Sequence, residues 1–281
     1  MNFESVNKIA YLGPRGSFSE MAADAFCQKY NLNVYPESLT TIRQVVEFVD
    51  NNPDVLGVLP AENSIEGTVR EALDNLMFTK NPNIRILSEY IMPIHHCLLA
   101  RTTEFSSITG IISHPQAIAQ CQNFIHTELP MHVNIIEAAS TAEAARSLQN
   151  YNLTYAAIGS KKTADTYYLN VLKENINDDK TNRTRFVLIG DFETKPTGKD
   201  RTSLAFATLN KPGALLEILQ IFLENGINLS YIASRPSKRS FGEYIFIVNF
   251  DGHIKNNKIL KTIDAIKAKT EFMRFLGSYS K

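Results

Sequence analysis

The chain has 281 residues, 44% of them hydrophobic, and its 29 Lys+Arg balance 29 Asp+Glu to a formal net charge of +0 at pH 7. That length accommodates two or more domains with buried cores and excludes a disordered chain, and the charge balance excludes a whole-molecule field that would draw in nucleic acid or an anionic membrane. Any anionic ligand must be captured locally. Cys27, Cys97 and Cys121 are far apart with no C-x-x-C spacing, which predicts reduced thiols in the cytoplasm rather than a disulfide framework or zinc site. The histidines are scattered, and the adjacent His95 and His96 would point to opposite faces of a strand, so no metal is expected. The start has no apolar core of a leader, and no run reaches the roughly 18 apolar residues of a membrane span.

From Lys8 to about Ile189 short apolar runs alternate with amphipathic stretches, the pattern of an α/β fold. Residues 9–12 read as a strand, Gly13-Pro14-Arg15-Gly16 as a tight turn, and 17–30 as a helix opened by the capping box Ser17-x-x-Glu20. A short strand is predicted at 34–35, a helix at 41–50, and a buried strand at 55–59 stopped by Pro60. After Ala61-Glu62-Asn63-Ser64 a helix should run from Thr68 to about Phe78. Strands follow at 84–87, 94–100 and 108–113. Pro115 suits a first helical position, so a helix is expected to about Glu128. A strand at 133–136, a helix from the box Ser140-x-x-Glu143 to about Gln149, and a strand at 155–158 entering a helical turn at Gly159-Ser160 complete the middle, and a polar loop leads to 182–190.

In that last stretch, period-two alternation puts Arg183, Arg185 and Val187 on one face and Thr184, Phe186 and Leu188 on the other. Either it is an edge-strand start with solvated arginines, or Thr184 is a hydroxyl beside an aromatic and between two cations. The second matters only with an anionic ligand whose departing oxygen gains charge. Small polar turns at Gly16-Ser17, Asn63-Ser64, 113–116, Ser140-Thr141 and Gly159-Ser160 each end a strand and are expected to open a helix. Singly they are ordinary caps; together they suit a small anion at the carboxyl ends of the strands.

The polar segment 192–200, with Pro196 and Gly198, is the predicted linker. Beyond it come a strand at 202–209, a turn at Asn210-Lys211-Pro212-Gly213-Ala214, a helix at 215–225 stopped by Gly226, strands at 227–233 and 243–250 around a loop at 237–242, a helix at 256–269 and a strand at 272–276. This order is a split βαβ sandwich of roughly 80 residues, a unit that commonly pairs through sheet edges.

Four motifs in order, Gly13-Pro14-x-Gly16-Ser17-x-Ser19, Pro60-x-Glu62-Asn63-Ser64-x-x-Gly67, Ser113-His114-Pro115-Gln116-Ala117 and Asn182-x-Thr184-Arg185-Phe186, make the chain resemble prephenate dehydratases over nearly its whole length. The tail, with Gly213-Ala214-Leu215-Leu216 and Ser234-Arg235-Pro236, resembles an ACT regulatory domain. The resemblance implies an α/β fold: a two-lobed catalytic region at 6–191, like a type II periplasmic binding protein (6–78 plus 173–191, and 79–172), a linker at 192–200, and a βαββαβ ferredoxin-like ACT domain at 201–281. It also implies a cofactor-free lyase that turns prephenate into phenylpyruvate, carbon dioxide and water in L-phenylalanine biosynthesis.

On that resemblance Thr184 assists the departing hydroxyl, and Ser17, Asn63, Ser64, Ser113, Gln116, Thr141, Ser160, Arg185 and Phe186 bind substrate, with Arg185 as charge partner. Glu62, which a dianion would repel, is read as orienting its neighbours, and His114 is the alternative acid. Feedback by L-phenylalanine is implied, with Asn210, Pro212, Gly213, Ala214, Leu215, Leu216, Ser234 and Arg235 as effector ligands between paired domains of a homodimer or homotetramer. Where relatives often carry Glu, this chain has Ala233, which bears on the strength of that response. Arogenate as substrate, and a non-catalytic cytoplasmic amino-acid sensor, are the readings that remain beside it.

Overall fold

The computed structural model describes residues 3–237 and 244–281, so the expected loop at 237–242 lies, past Ser237, outside the described residues. Its first lobe is built from β1 (Lys8–Leu12), α1 (Phe18–Tyr30), β2 (Pro36–Leu39), α2 (Ile42–Asn51), β3 (Val55–Asn63), β4 (Gly67–Thr68), α3 (Arg70–Met77) and β5 (Arg85–Pro93). Parallel pairing of β1 with β2 and β3 buries Ile9, Ala10 and Tyr11 under α1 and α2, which explains the continuous apolar run in β1. The strand expected at 34–35 falls instead at β2, leaving Tyr35 exposed.

Pro60 does not stop β3. Pairing with β1 ends at Val58, and the register with the strand on the other side shifts opposite Pro60, so the missing N–H disrupts no regular ladder. Beyond it β3 folds back on β4, with Glu62 opposite Thr68 and Asn63 opposite Gly67. The turn at Asn63-Ser64 therefore opens a hairpin rather than a helix. Thr68, taken up in β4, caps nothing, and α3 begins after Val69 with no side-chain cap.

The second lobe comprises β6 (Cys97–Ala100), β7 (Gly110–Ser113), α4 (Pro115–Ala119), α5 (Gln122–Glu128), β8 (Asn134–Glu137), α6 (Thr141–Ser147), β9 (Tyr155–Gly159), α7 (Lys161–Tyr167) and β10 (Asn170–Lys173), in a sheet of order β10-β6-β9-β7-β8. The single helix expected from Pro115 is broken at Gln120 and Cys121, and part of the expected polar loop is β10. The chain returns through β11 (Arg183–Gly190), which lies antiparallel between β5 and β3. Because β11 pairs with β5 along the whole of that strand, 85–93 belongs to the first sheet. The crossing to the second lobe comes after Pro93, later than the expected boundary at 78/79.

The C-terminal domain has the expected order: β12 (Asp200–Thr208), α8 (Ala214–Glu224), β13 (Leu229–Pro236), β14 (Tyr244–Asp251), α9 (Asn257–Lys267) and β15 (Thr270–Ser280). Its two helices cover one sheet face, where Leu204, Phe206, Val248 and Phe250 meet Ile218, Phe222 and Ile263. The other face contributes Ala205, Ile245, Ile247 and Tyr279 to the core of the first lobe, beside Leu73, Ile86 and Val187. A parallel bridge between Ser280 and Ser88 joins the two sheets edge to edge, in the order β13-β14-β12-β15-β5-β11-β3-β1-β2. The segment expected as a linker is correspondingly tied down: Phe192 meets Phe3 edge-on at 5.2 Å, and Thr194 Oγ1 donates to the Ser278 carbonyl at 2.6 Å.

Candidate active site

The β3–β4 hairpin and the start of β11 place Asn63 directly opposite Thr184. Both are buried, at 6% and 9% exposure. Asn63 Oδ1 accepts from the backbone N–H groups of Ile65 and Glu66 at 3.0 and 3.1 Å, which fixes the orientation of its amide. Its Nδ2 therefore donates to Asn182 Oδ1 at 2.8 Å and to Thr184 Oγ1 at 2.9 Å. With Oδ1 of Asn182 accepting, its Nδ2 donates to Gln120 Oε1 at 3.0 Å. Hydrogen-bond polarity thus runs from two backbone donors through three amides.

Two atoms at the ends of this network are left as donors. Thr184 accepts from Asn63, and among the described residues its own O–H donates to no protein group. Gln120 Nε2 is buried with no partner. A buried donor without a partner is costly, so its presence in this cluster points to a ligand acceptor. Gln120, one helical turn beyond Gln116, was not expected from the sequence as a site residue, and Asn182 stands in a motif with no expected role.

Other expected residues fall into two groups. Ser64 belongs to the cluster: its N–H donates to the Arg183 carbonyl at 2.8 Å and its Oγ accepts from Arg183 N–H at 2.9 Å. Ser113, Gln116, Thr141 and Ser160 lie at or just after the carboxyl ends of β7, β8 and β9, which are parallel neighbours, so they share one edge of the second sheet. Ser17 caps α1, accepting from Glu20 N–H at 3.3 Å, and Ser160 caps α7. Ser160 and Thr163 hydroxyls also reach the Gly16 carbonyl, at 3.3 and 2.6 Å, bringing the first turns of α1 and α7 together across the lobes. Ser113 Oγ donates to the Ile158 carbonyl at 2.8 Å. His114 Nδ1 caps α4, accepting from Gln116 N–H at 3.2 Å.

Arg185 and Phe186 do not join this cluster as ligands. Phe186, 2% exposed, packs in the first lobe's core with Tyr11, Phe26 and Met92. Arg185 lies on the opposite strand face from Thr184, where Nε donates to Glu62 at 3.2 Å and Nη1 to Glu89 at 3.4 Å. Glu89 also takes Arg201 of the C-terminal domain at 2.7 and 2.9 Å. Thr184 is therefore not held between two cations, and Glu62 pairs with Arg185.

The prephenate dehydratase family model matches residues 9–194, and the ACT domain model matches 202–268. A prephenate dehydratase from Methanocaldococcus jannaschii is 40% identical over 96% of this chain and 97% of its own length. The chain belongs to the prephenate dehydratase family. A solved prephenate dehydratase from Arthrobacter aurescens in complex with L-Phe superimposes with a TM-score of 0.87 at 33% identity, covering 98% of this chain and 90% of that one. A protein described as a quorum quenching acylase, GqqA, has the same fold, at a TM-score of 0.84 and 25% identity over 98% of each chain.

In the ACT domain Gly213 adopts φ +81°, a conformation that favours glycine, and nothing lies within 4 Å of where a Cβ would stand. The turn thus exposes backbone at the start of α8, with Leu216 65% exposed beside it. Alternation along β13 sets Ser234 and Arg235 of the Ser-Arg-Pro motif on opposite faces. Ser234 is exposed, whereas Arg235 faces the catalytic lobe and holds Asp74 of α3 through Nε and Nη2 at 3.2 and 3.0 Å. Arg235 is thus engaged between domains and not at the exposed face expected of an effector ligand.

Proposed function

We infer that the cleft around Thr184 carries out the decarboxylative dehydration of prephenate to phenylpyruvate, with Thr184 donating to the departing 4-hydroxyl. One proton enters per turnover: the substrate dianion plus H⁺ gives the phenylpyruvate anion, carbon dioxide and water. The electron pair of the breaking C–CO₂ bond enters the ring as the C–O bond breaks, so negative charge grows on the leaving oxygen. A hydrogen-bond donor held at that oxygen stabilises the transition state more than the ground state. The observation that carries this reading is the polarity of the amide network, which fills an acceptor site of Thr184 and leaves its proton to be donated. Gln120 Nε2 and the peptide N–H groups following Ser17, Ser113, Ser140 and Ser160 supply neutral donors for the two carboxylates; Ser64, Gln116 and Thr141 lie among them.

The functional units are a catalytic region at 6–191, a linker at 192–200 and an ACT domain at 201–281. L-Phenylalanine acts at the ACT domain, with the 210–216 turn and Ser234 as its ligands, in a cytoplasmic homo-oligomer. No helix among the described residues is long and apolar enough to cross a membrane.

Phenylpyruvate formation from prephenate, followed by its alkaline ultraviolet absorbance, tests the reading beside Thr184→Val, which keeps the shape and removes the donor. A fall in kcat of roughly 100- to 1,000-fold with little change in KM is expected. Equal activity in both would remove Thr184 from the reaction. A parent inactive on prephenate but active on arogenate would change the substrate, and one that cleaves an N-acyl amide instead would change the reaction class.

A further inference from the structure

We propose that His96 is a positioning residue for this reaction: its ring, in the Nε2–H tautomer, locks the Gln120 amide with its N–H groups turned toward the substrate. The proposal rests on the dehydratase reading above and assigns a role to a buried imidazole that the reaction so far has not used.

His96 is 3% exposed and sits where the chain crosses from β5 to β6. Its position is fixed from two sides: the backbone N–H donates to Asn177 Oδ1 at 2.6 Å, and the ring meets Phe18 edge-on at 5.6 Å. Nε2 lies 3.3 Å from Gln120 Oε1. That oxygen is an acceptor by the chain of amides that begins at the Ile65 and Glu66 N–H groups, so the hydrogen between the two must belong to His96. Nδ1 is then the bare nitrogen, and it has no partner among the described residues, as an unprotonated atom can tolerate better than a donor. Burial pushes the imidazole pKa down to about 4, which keeps the ring neutral near pH 7.

The consequence follows from geometry. Rotating the Gln120 amide by half a turn would set its NH₂ group against two donors, Asn182 Nδ2 and His96 Nε2–H, and lose two hydrogen bonds. Without His96 only Asn182 opposes the flip, and the carbonyl oxygen of Gln120 would face an anionic substrate for part of the time. Two donors on Oε1 also polarise the amide and strengthen its N–H groups.

Three readouts test this. In the parent protein, ¹⁵N resonances of labelled histidine should identify His96 as a neutral Nε2–H ring at pH 7; a charged or Nδ1–H ring overturns the proposal whether or not any variant folds. His96→Leu should lose roughly 10-fold in kcat/KM for prephenate, the scale of one oriented hydrogen bond, and His96→Gln, which carries an amide donor near the Nε2 position, should stay within about 3-fold of the parent. In a Gln120→Leu background the same His96→Leu change should cost less than about 2-fold, because the group it acts through is gone. Equal losses in both backgrounds, a parent-like His96→Leu, or a His96→Gln as impaired as His96→Leu would each overturn it. A parent that does not turn over prephenate defeats the dehydratase reading, while the ring's tautomer still decides whether His96 orients Gln120.

Discussion

A bare threonine is a poor acid, and Thr184 gains a chemical role only because Asn63 fills one of its acceptor sites and is itself held by two backbone donors. The same logic makes Asn182 more consequential than its lack of an assigned role suggests. In Asn182→Asp the donor facing Gln120 Oε1 becomes a carboxylate oxygen, so Gln120 should turn its N–H groups inward and its carbonyl toward the substrate. KM for prephenate is expected to rise by at least about 10-fold, more than kcat falls, in steady-state kinetics. His96 gives a second prediction at this scale. Its pKa is depressed from 6.5 to about 4 by burial, so as pH falls the unfolded chain takes up the proton before the folded one. Stability present above about pH 6.5 is therefore lost progressively down to about pH 4, by about 3 kcal/mol in all. Burial also lowers the pKa of His253, so urea denaturation at pH 7.5 and 5 should compare the parent with His96→Gln, in which the pH dependence should shrink but not vanish.

Among the elements, α1 shows how a cap and a glycine together set the mouth of the cleft. Gly16 has φ +82°, and a Cβ there would stand 3.1 Å from the Thr163 backbone of α7, on the other lobe. Its carbonyl accepts from the Ser160 and Thr163 hydroxyls, so a shift of this turn moves the lobes apart. Gly16→Ala is expected to destabilise by about 1–2 kcal/mol from the backbone conformation alone, and to raise KM through the displaced lobe. Thermal unfolding and initial-rate kinetics check the two effects separately. The β3–β4 hairpin is the other decisive element, because it bends Asn63 back against β11 where a helix would have carried it away.

At the scale of the whole molecule, the ACT domain is bound to the very elements that carry the site. Glu89 on β5 joins Arg201 of the ACT domain to Arg185, the residue after Thr184; Tyr231 and Thr68 hydroxyls touch at β4; Arg235 holds Asp74 on α3. Removing the buried carboxylate in Glu89→Ala leaves two guanidinium groups without their shared partner and should cost about 3–5 kcal/mol by chemical denaturation. Asp74→Asn weakens the contact with the Ser-Arg-Pro strand while leaving the cleft's own groups intact. Phenylalanine inhibition of phenylpyruvate formation should therefore require several-fold more effector, with turnover in its absence within about 3-fold of the parent. Unchanged inhibition would show that the signal does not pass through α3.

Local order was legible in the sequence wherever it determines structure by itself. The N-caps at Ser17 and Ser140, Pro115 at a helix start, Gly226 at a helix end and the βαββαβ order of the tail all appear as expected, because caps, turns and apolar periodicity act within a few residues, although Glu20 and Glu143 turn to Gly16 N–H and Arg146 instead of closing the boxes. Thr184 could be singled out from its neighbours and from the family resemblance. What the tertiary structure alone decided is everything that depends on a partner distant in sequence. The helix start expected at Thr68 gave way to a hairpin because β3 continued through Pro60 to pair with β11 and β4. Strand 85–93 joined the first sheet because β11, about a hundred residues later, pairs along its length. Arg185 was drawn to Glu62 and Glu89 rather than to a ligand, since strand alternation turns it away from Thr184. The hydrogen-bond direction that makes Thr184 and Gln120 donors exists only where residues 63, 120, 182 and 184 meet, and no local pattern encodes that meeting.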